Sequence, residues 1–188
     1  MSLPQLVSPE FTTEIPSTKQ KIKFRPFLVK EEKILLMASE GNDPAEMQRA
    51  VKSILSNCIL TKIDVSNLAT FDLEYLFLKL RGKSVGEEIE LLMKHSSKSE
   101  CKHQTTVKMN LDDIKIVGKV SDGKIMLDDK IGVKLKYPTF DEVAKMSENQ
   151  SNTEIIYKTM AMLIEYVYTE EEVYNDFTDE EMEEWITK

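Results

Sequence analysis

The chain predicts an α+β fold, with N-terminal helices, a central antiparallel β region containing a hairpin, and C-terminal helices. Three observations carry this prediction. Apolar residues recur at helical spacing from about Lys30 to Leu80, and they alternate with polar ones between Ser84 and Tyr137. After Pro138, helix starts of the Ser/Thr-x-x-Glu kind return. With 188 residues, 41% apolar and 31% charged, there is material for a real core beneath a heavily solvated surface.

Each element has a local cause. Residues 1–21 carry Pro4, Pro9 and Pro16 among polar side chains and predict an extended arm, ordered against a partner. Ile22 and Phe24 alternate as in a short strand that Pro26 ends. Ile34, Leu35, Met37 and Ala38 give a helix from about Lys30 to Glu40, which Gly41-Asn42 stops. Asp43 as N-cap and Pro44 in the first turn open a second helix along Met47, Ala50, Val51, Ile54, Leu55 and Cys58. Ile63, Val65 and Leu68 form a link to a third helix. It is capped by Thr70, faced by Leu73, Leu76, Phe77 and Leu80, and ends near Gly82.

Beyond Ser84 the period changes to two. Ile89, Leu91 and Met93 form one strand, and Thr105, Val107 and Met109 its hairpin partner. Ile114, Ile116 and Val120 extend the β region in this reading, and Ser121-Asp122-Gly123-Lys124 turns the chain into Ile125-Met126-Leu127. Ile131, Val133, Leu135 and Tyr137 alternate up to Pro138. Thr139 with Glu142, Ser151 with Glu154, and Thr178 with Glu181 then match the capping box. The Ser151 helix is expected to carry Ile155, Ile156, Met160, Leu163, Ile164 and Val167 into the core. The organisation expected is an arm over 1–21, one α+β domain over 22–167, and an acidic aromatic tail with a short helix over 168–188.

The net charge of −8 sits almost wholly at one end. Residues 165–188 hold ten acidic side chains against Lys188, a charge of −9, which leaves +1 for residues 1–164. Such acidity repels phosphate and argues against nucleic acid as a partner. No run approaches the roughly 18–20 apolar residues of a membrane-spanning helix. The start, Met1-Ser2-Leu3-Pro4-Gln5, lacks the basic and apolar parts of a secretory signal, so a cytosolic product is expected. Cys58 and Cys101 are too few for a disulfide framework, and Cys58 closes an apolar helical face as a small buried hydrophobe.

Constellations with chemistry in them are sparse. His95, Cys101 and His103 could present imidazole and thiolate to zinc from the hairpin loop. Three ligands fall short of the usual four, and Cys101-x-His103 lacks the usual two-residue spacing; a solvated loop is the simpler account. Gly82-Lys83-Ser84 is no phosphate loop, because Phe77 stands where the first glycine belongs and helix precedes strand. No acid, base or nucleophile arrangement suggests an enzyme, and no cofactor is implied. The strongest signal is the tail, where Tyr174, Phe177, Met182, Trp185 and Ile186 lie among acids. Met182, Trp185 and Ile186 at i, i+3 and i+4 give one apolar face beside a negative one. That composition suits helix-in-groove contact with a basic partner, and it equally suits packing on the chain's own core.

Two blocks carry a likeness. The first is Lys23-Phe24-Arg25-Pro26-Phe27-Leu28-Val29-Lys30-Glu31-Glu32-Lys33-Ile34-Leu35-Leu36-Met37-Ala38. The second is Asp72-Leu73-Glu74-Tyr75-Leu76-Phe77-Leu78-Lys79-Leu80-Arg81 followed by Lys83-Ser84-Val85-Gly86-Glu87. In order and combination they resemble the small baseplate hub and hub-assembly proteins of T-even-type contractile-tailed bacteriophages, over most of the chain from about Ile22. The resemblance implies a late viral protein, made in the host cytoplasm, that helps build the central hub of the baseplate. It would act as a hub subunit or an assembly chaperone, with other hub or tail proteins as partners. The family brings no catalytic residue to carry over. A generic protein-binding adaptor and a small zinc-hairpin module remain as alternatives.

Overall fold

The computed structural model describes residues 8–41, 43–94, 104–118, 121–146 and 152–187. They form an α+β protein whose contacts gather into two compact units, one from residues 1–65 with 71–118 and one from 66–70 with 119–188. The sequence had suggested one body over 22–167 with appendages. The layout differs as well, because strands come first and the C-terminal part alternates helix and strand.

In the first unit, β1 (Phe11–Glu14) pairs antiparallel with β2 (Lys21–Phe24), Phe11 opposite Phe24. The expected arm is therefore a hairpin over its described part. Ile15 is 1% exposed, the Phe11 and Phe24 rings lie 5.8 Å apart, and the turn is tied down by Asp72. Ser17 donates to Asp72 through its backbone N–H at 2.9 Å and its hydroxyl at 2.5 Å. These contacts outweigh the polar composition that had suggested an arm.

Helices α1 (Val29–Glu40), α2 (Pro44–Cys58) and α3 (Thr70–Val85) follow. Asp43 caps α2 by accepting from the Ala45 N–H at 2.9 Å, with Pro44 at the first turn. Ala50, Ile54, Leu55 and Cys58 of α2 are buried, as are Leu73, Leu76 and Leu80 of α3. Helix α3 runs past Gly82, a residue with no φ strain that packs near Leu111. The hairpin of β3 (Glu88–Lys94) and β4 (Gln104–Asn110) forms as expected, Leu91 opposite Val107. The chain then leaves the sheet in a 3-10 turn at Leu111–Asp113 capped by Asn110, so Ile114 and Ile116 add no strand. Val120 lies outside the described residues.

The second unit holds a four-stranded antiparallel sheet in the order β5 (Lys124–Met126), β6 (Gly132–Leu135), β7 (Ile164–Tyr168), β8 (Val173–Tyr174). Helix α4 (Phe140–Met146) starts at the Thr139 box, where Glu142 accepts from the Thr139 N–H at 2.8 Å. Helix α5 (Asn152–Leu163) stops before Ile164, which together with Val167 had been expected on its face. The run Ile164-Glu165-Tyr166-Val167-Tyr168 is β-branched and aromatic, and strand preference wins there. Ser151 of the proposed capping box lies outside the described residues. Residues 168–187 are no separate tail, since β7 ends at Tyr168 and α6 (Asp179–Ile186) shares a core with the sheet.

Candidate docking surface on the second unit

The site begins with α6. Thr178 accepts from the Glu181 N–H at 3.2 Å and Glu181 accepts from the Thr178 N–H at 2.9 Å, which satisfies two orphan donors at the helix start. This fixes the rotation of a short helix. Met182, 3% exposed, drops into a core with Val133, Ala161, Ile164 and Val167, while Phe177 and Ile186 pack at its margin. Met182 is thus interior and cannot be a surface contact, a correction to its expected role. Phe177 and Ile186 are partly committed to the same core. Trp185 and Tyr174 are 38% and 49% exposed and remain available.

Two apolar grooves flank Trp185. One, of about 500 Å³, is walled by Ile125, Leu127, Leu135, Met160 and Leu163, with Asp128 as its polar member. The other, of about 480 Å³, is walled by Val167, Tyr174 and Phe177 and edged by Asp176 and Glu181. Ile131 and Trp185 line both, so they form the divide. Nothing in the spacing of apolar residues pointed to Ile131, Met160 or Leu163 as groove residues. The apolar run Ile125-Met126-Leu127, which starts in β5 and continues one residue past it, was the one available hint.

The charged side chains that line the grooves, Asp128, Asp176 and Glu181, are all carboxylates. Asp128 accepts from the N–H groups of Lys130 and Ile131, both at 2.7 Å, and these bonds hold its carboxyl below the ordinary value. Beside the second groove, the Glu172 carboxylate pushes the Tyr174 phenol up. Glu180 and Glu184 of α6 are exposed. The arrangement can bury an apolar ridge while favouring positive charge at its flanks. No cluster of three His, Cys, Asp or Glu suits a metal ion among the described residues, and His95, Cys101 and His103 lie outside them.

A family profile described as "T4 bacteriophage base plate protein" matches residues 8–188. The chain belongs to that baseplate family. It matches no curated protein and no solved structure.

In this member of the baseplate family, the blocks that carry the likeness hold the fold together. Arg25 donates to Glu31 at 2.9 Å and to the Asn57 carbonyl at 3.2 Å, and the Glu31 side chain is 1% exposed. Ser84 accepts from the Phe27 N–H at 3.0 Å and donates to the Leu80 carbonyl at 2.6 Å. Lys83 bridges Glu87 at 2.5 Å and Asp112 at 2.9 Å. Arg25, Glu31, Lys83 and Ser84 are thus spent on internal contacts, and the open apolar grooves lie on the second unit, outside both blocks.

Proposed function

We propose that this baseplate-family protein acts without enzymatic activity in building the baseplate hub, as an assembly factor or hub subunit, through protein–protein contacts. The observation that carries the reading is the pair of open apolar grooves astride Trp185 with carboxylates at their edges. The occupant they suit is an amphipathic segment of a hub or tail protein, apolar on the docked side and rich in Lys or Arg beside it. Contact with an aromatic anchor in such a groove supplies affinity, and the acids speed encounter and set orientation.

The test uses the full chain and purified hub proteins of the same phage. Trp185→Ala should weaken the complex about tenfold or more, as expected of an aromatic anchor, while the circular-dichroism melt of the free protein moves little. Unchanged affinity for every hub protein that binds the wild type would refute the groove assignment. Mass spectrometry of mature virions and assembly intermediates separates the two roles. Fixed stoichiometry in both marks a subunit, presence only in intermediates marks an assembly factor, and absence from both rejects the hub.

A further inference from the structure

The hairpin of the first unit carries an interaction surface independent of the grooves. Leu91, Leu92, Met93, Val107 and Met109 are all between 37% and 58% exposed, an unusual load of apolar surface for two bare strands. The outer edge of β3 is also open, since β3 pairs only with β4 among the described residues. Its polarity is readable. The Leu111 N–H donates to the Glu87 carbonyl at 2.8 Å, one step before the Glu88↔Asn110 pair. Alternation along an antiparallel ladder then aims the backbone groups of Ile89, Leu91 and Met93 at β4. Those of Glu88, Glu90, Leu92 and Lys94 point away, toward the open edge.

We infer that this edge pairs with the β3 edge of a second copy of the chain, antiparallel about a two-fold axis at Leu91, giving the strand order β4-β3-β3-β4. The sequence of β3 is complementary to itself in that register. Glu88 meets Lys94 of the other copy, Glu90 meets Leu92, and Leu91 meets Leu91, so the whole strand overlaps. The residues that exchange hydrogen bonds are the four whose backbone groups face outward. Glu90 is already matched across the hairpin to Lys108 at 3.3 Å, whereas Glu88 and Lys94 make no ion pair among the described residues. Both are exposed. The register also places Ile89, Leu91 and Met93 of both copies on one face, joining Val107 and Met109 into a continuous apolar band. Symmetric self-complementarity of this kind is what a two-fold interface requires.

Sedimentation equilibrium of the full chain, at concentrations up to the order of 100 µM where weak homodimers assemble, tests the inference. A dimer is expected. Glu88→Lys and Lys94→Glu should each weaken it about tenfold, because each reversal acts twice by symmetry. The doubly reversed E88K/K94E chain should regain wild-type association, a recovery that misfolding could not produce. Leu92→Pro removes an outward donor without touching the β3–β4 ladder and should abolish dimerisation. A strictly monomeric wild type would overturn the inference. So would a dimer indifferent to the charge reversals and to Leu92→Pro.

Discussion

Replacing Glu31 by Ala is expected to cost the protein about 3 kcal/mol, at the lower end of the roughly 3–5 kcal/mol for breaking a buried ion pair. The figure follows from what the carboxylate holds. One oxygen accepts from Arg25 at 2.9 Å and lies 3.4 Å from the Lys30 ammonium, and the other accepts from the Leu28 N–H at 2.8 Å at the head of α1. Arg25, its side chain 17% exposed, would keep the Pro26 and Asn57 carbonyls and some water, so it is not wholly stranded. Urea unfolding followed by circular dichroism reads the loss. Replacing both partners, Arg25→Met with Glu31→Leu, should recover most of it, since an apolar pair avoids the desolvation cost. The pH dependence gives a second reading. Burial alone would raise the Glu31 carboxyl, but the Arg25 hydrogen bond, the Leu28 N–H and the nearby cations outweigh burial and hold it below its ordinary value. The pair's contribution is therefore complete above the unfolded carboxyl value of about 4.3 and is lost as pH falls through the lower folded value. The stability gap between wild type and Glu31→Gln should close over that acid range. A loss below about 1 kcal/mol for Glu31→Ala, the worth of an exposed pair, would refute this account of the first likeness block.

Two further substitutions probe the second unit. Met182→Ala should destabilise it by about 2–5 kcal/mol, as for other buried Met truncations, read as an earlier urea transition in Trp185 fluorescence; an unchanged midpoint would mean that α6 does not seal this core. Gly123→Ala should be strongly destabilising, because φ is +71° and an added Cβ would meet the Leu135 carbonyl oxygen at 2.3 Å. Wild-type thermal stability of that variant would contradict the turn geometry just before β5, where the Gly123 carbonyl accepts from the Leu135 N–H at 2.7 Å.

Much of the fold was legible where the cause is local. The Asp43-Pro44 start, the Thr139 and Thr178 boxes and the alternating hairpin strands depend on residues within a few positions, and all appear. The first hairpin was not legible, because Phe11 and Ile15 are sparse apolar residues and the turn beside them is held by Ser17 donating to Asp72, 55 positions later. The α5–β7 junction failed for a different reason: Ile164 and Val167 stand at the i, i+3 spacing of a helix, and they share a core on a strand only because the pairing with β6 shifts register between Lys134 and Leu135. At the candidate site, the aromatic–acidic composition drew attention to α6. Which of Met182 and Trp185 faces inward depends on the rotation of the helix against the sheet, which spacing alone leaves open.

The stitches between distant segments have a consequence for synthesis. Ser17 waits for Asp72, and Phe27 waits for Ser84, 57 positions later. At roughly 5–20 residues per second, the first hairpin leaves the ribosome several seconds before its anchors are made. Residue 69 waits longer still, since its strand-like bridge is to Thr139. A nascent chain halted near residue 130 would therefore hold the first unit's partners but leave Ala69 without Thr139 and Thr70 without the Pro138 carbonyl, so these two residues are fastened only after the later part of the chain has been made.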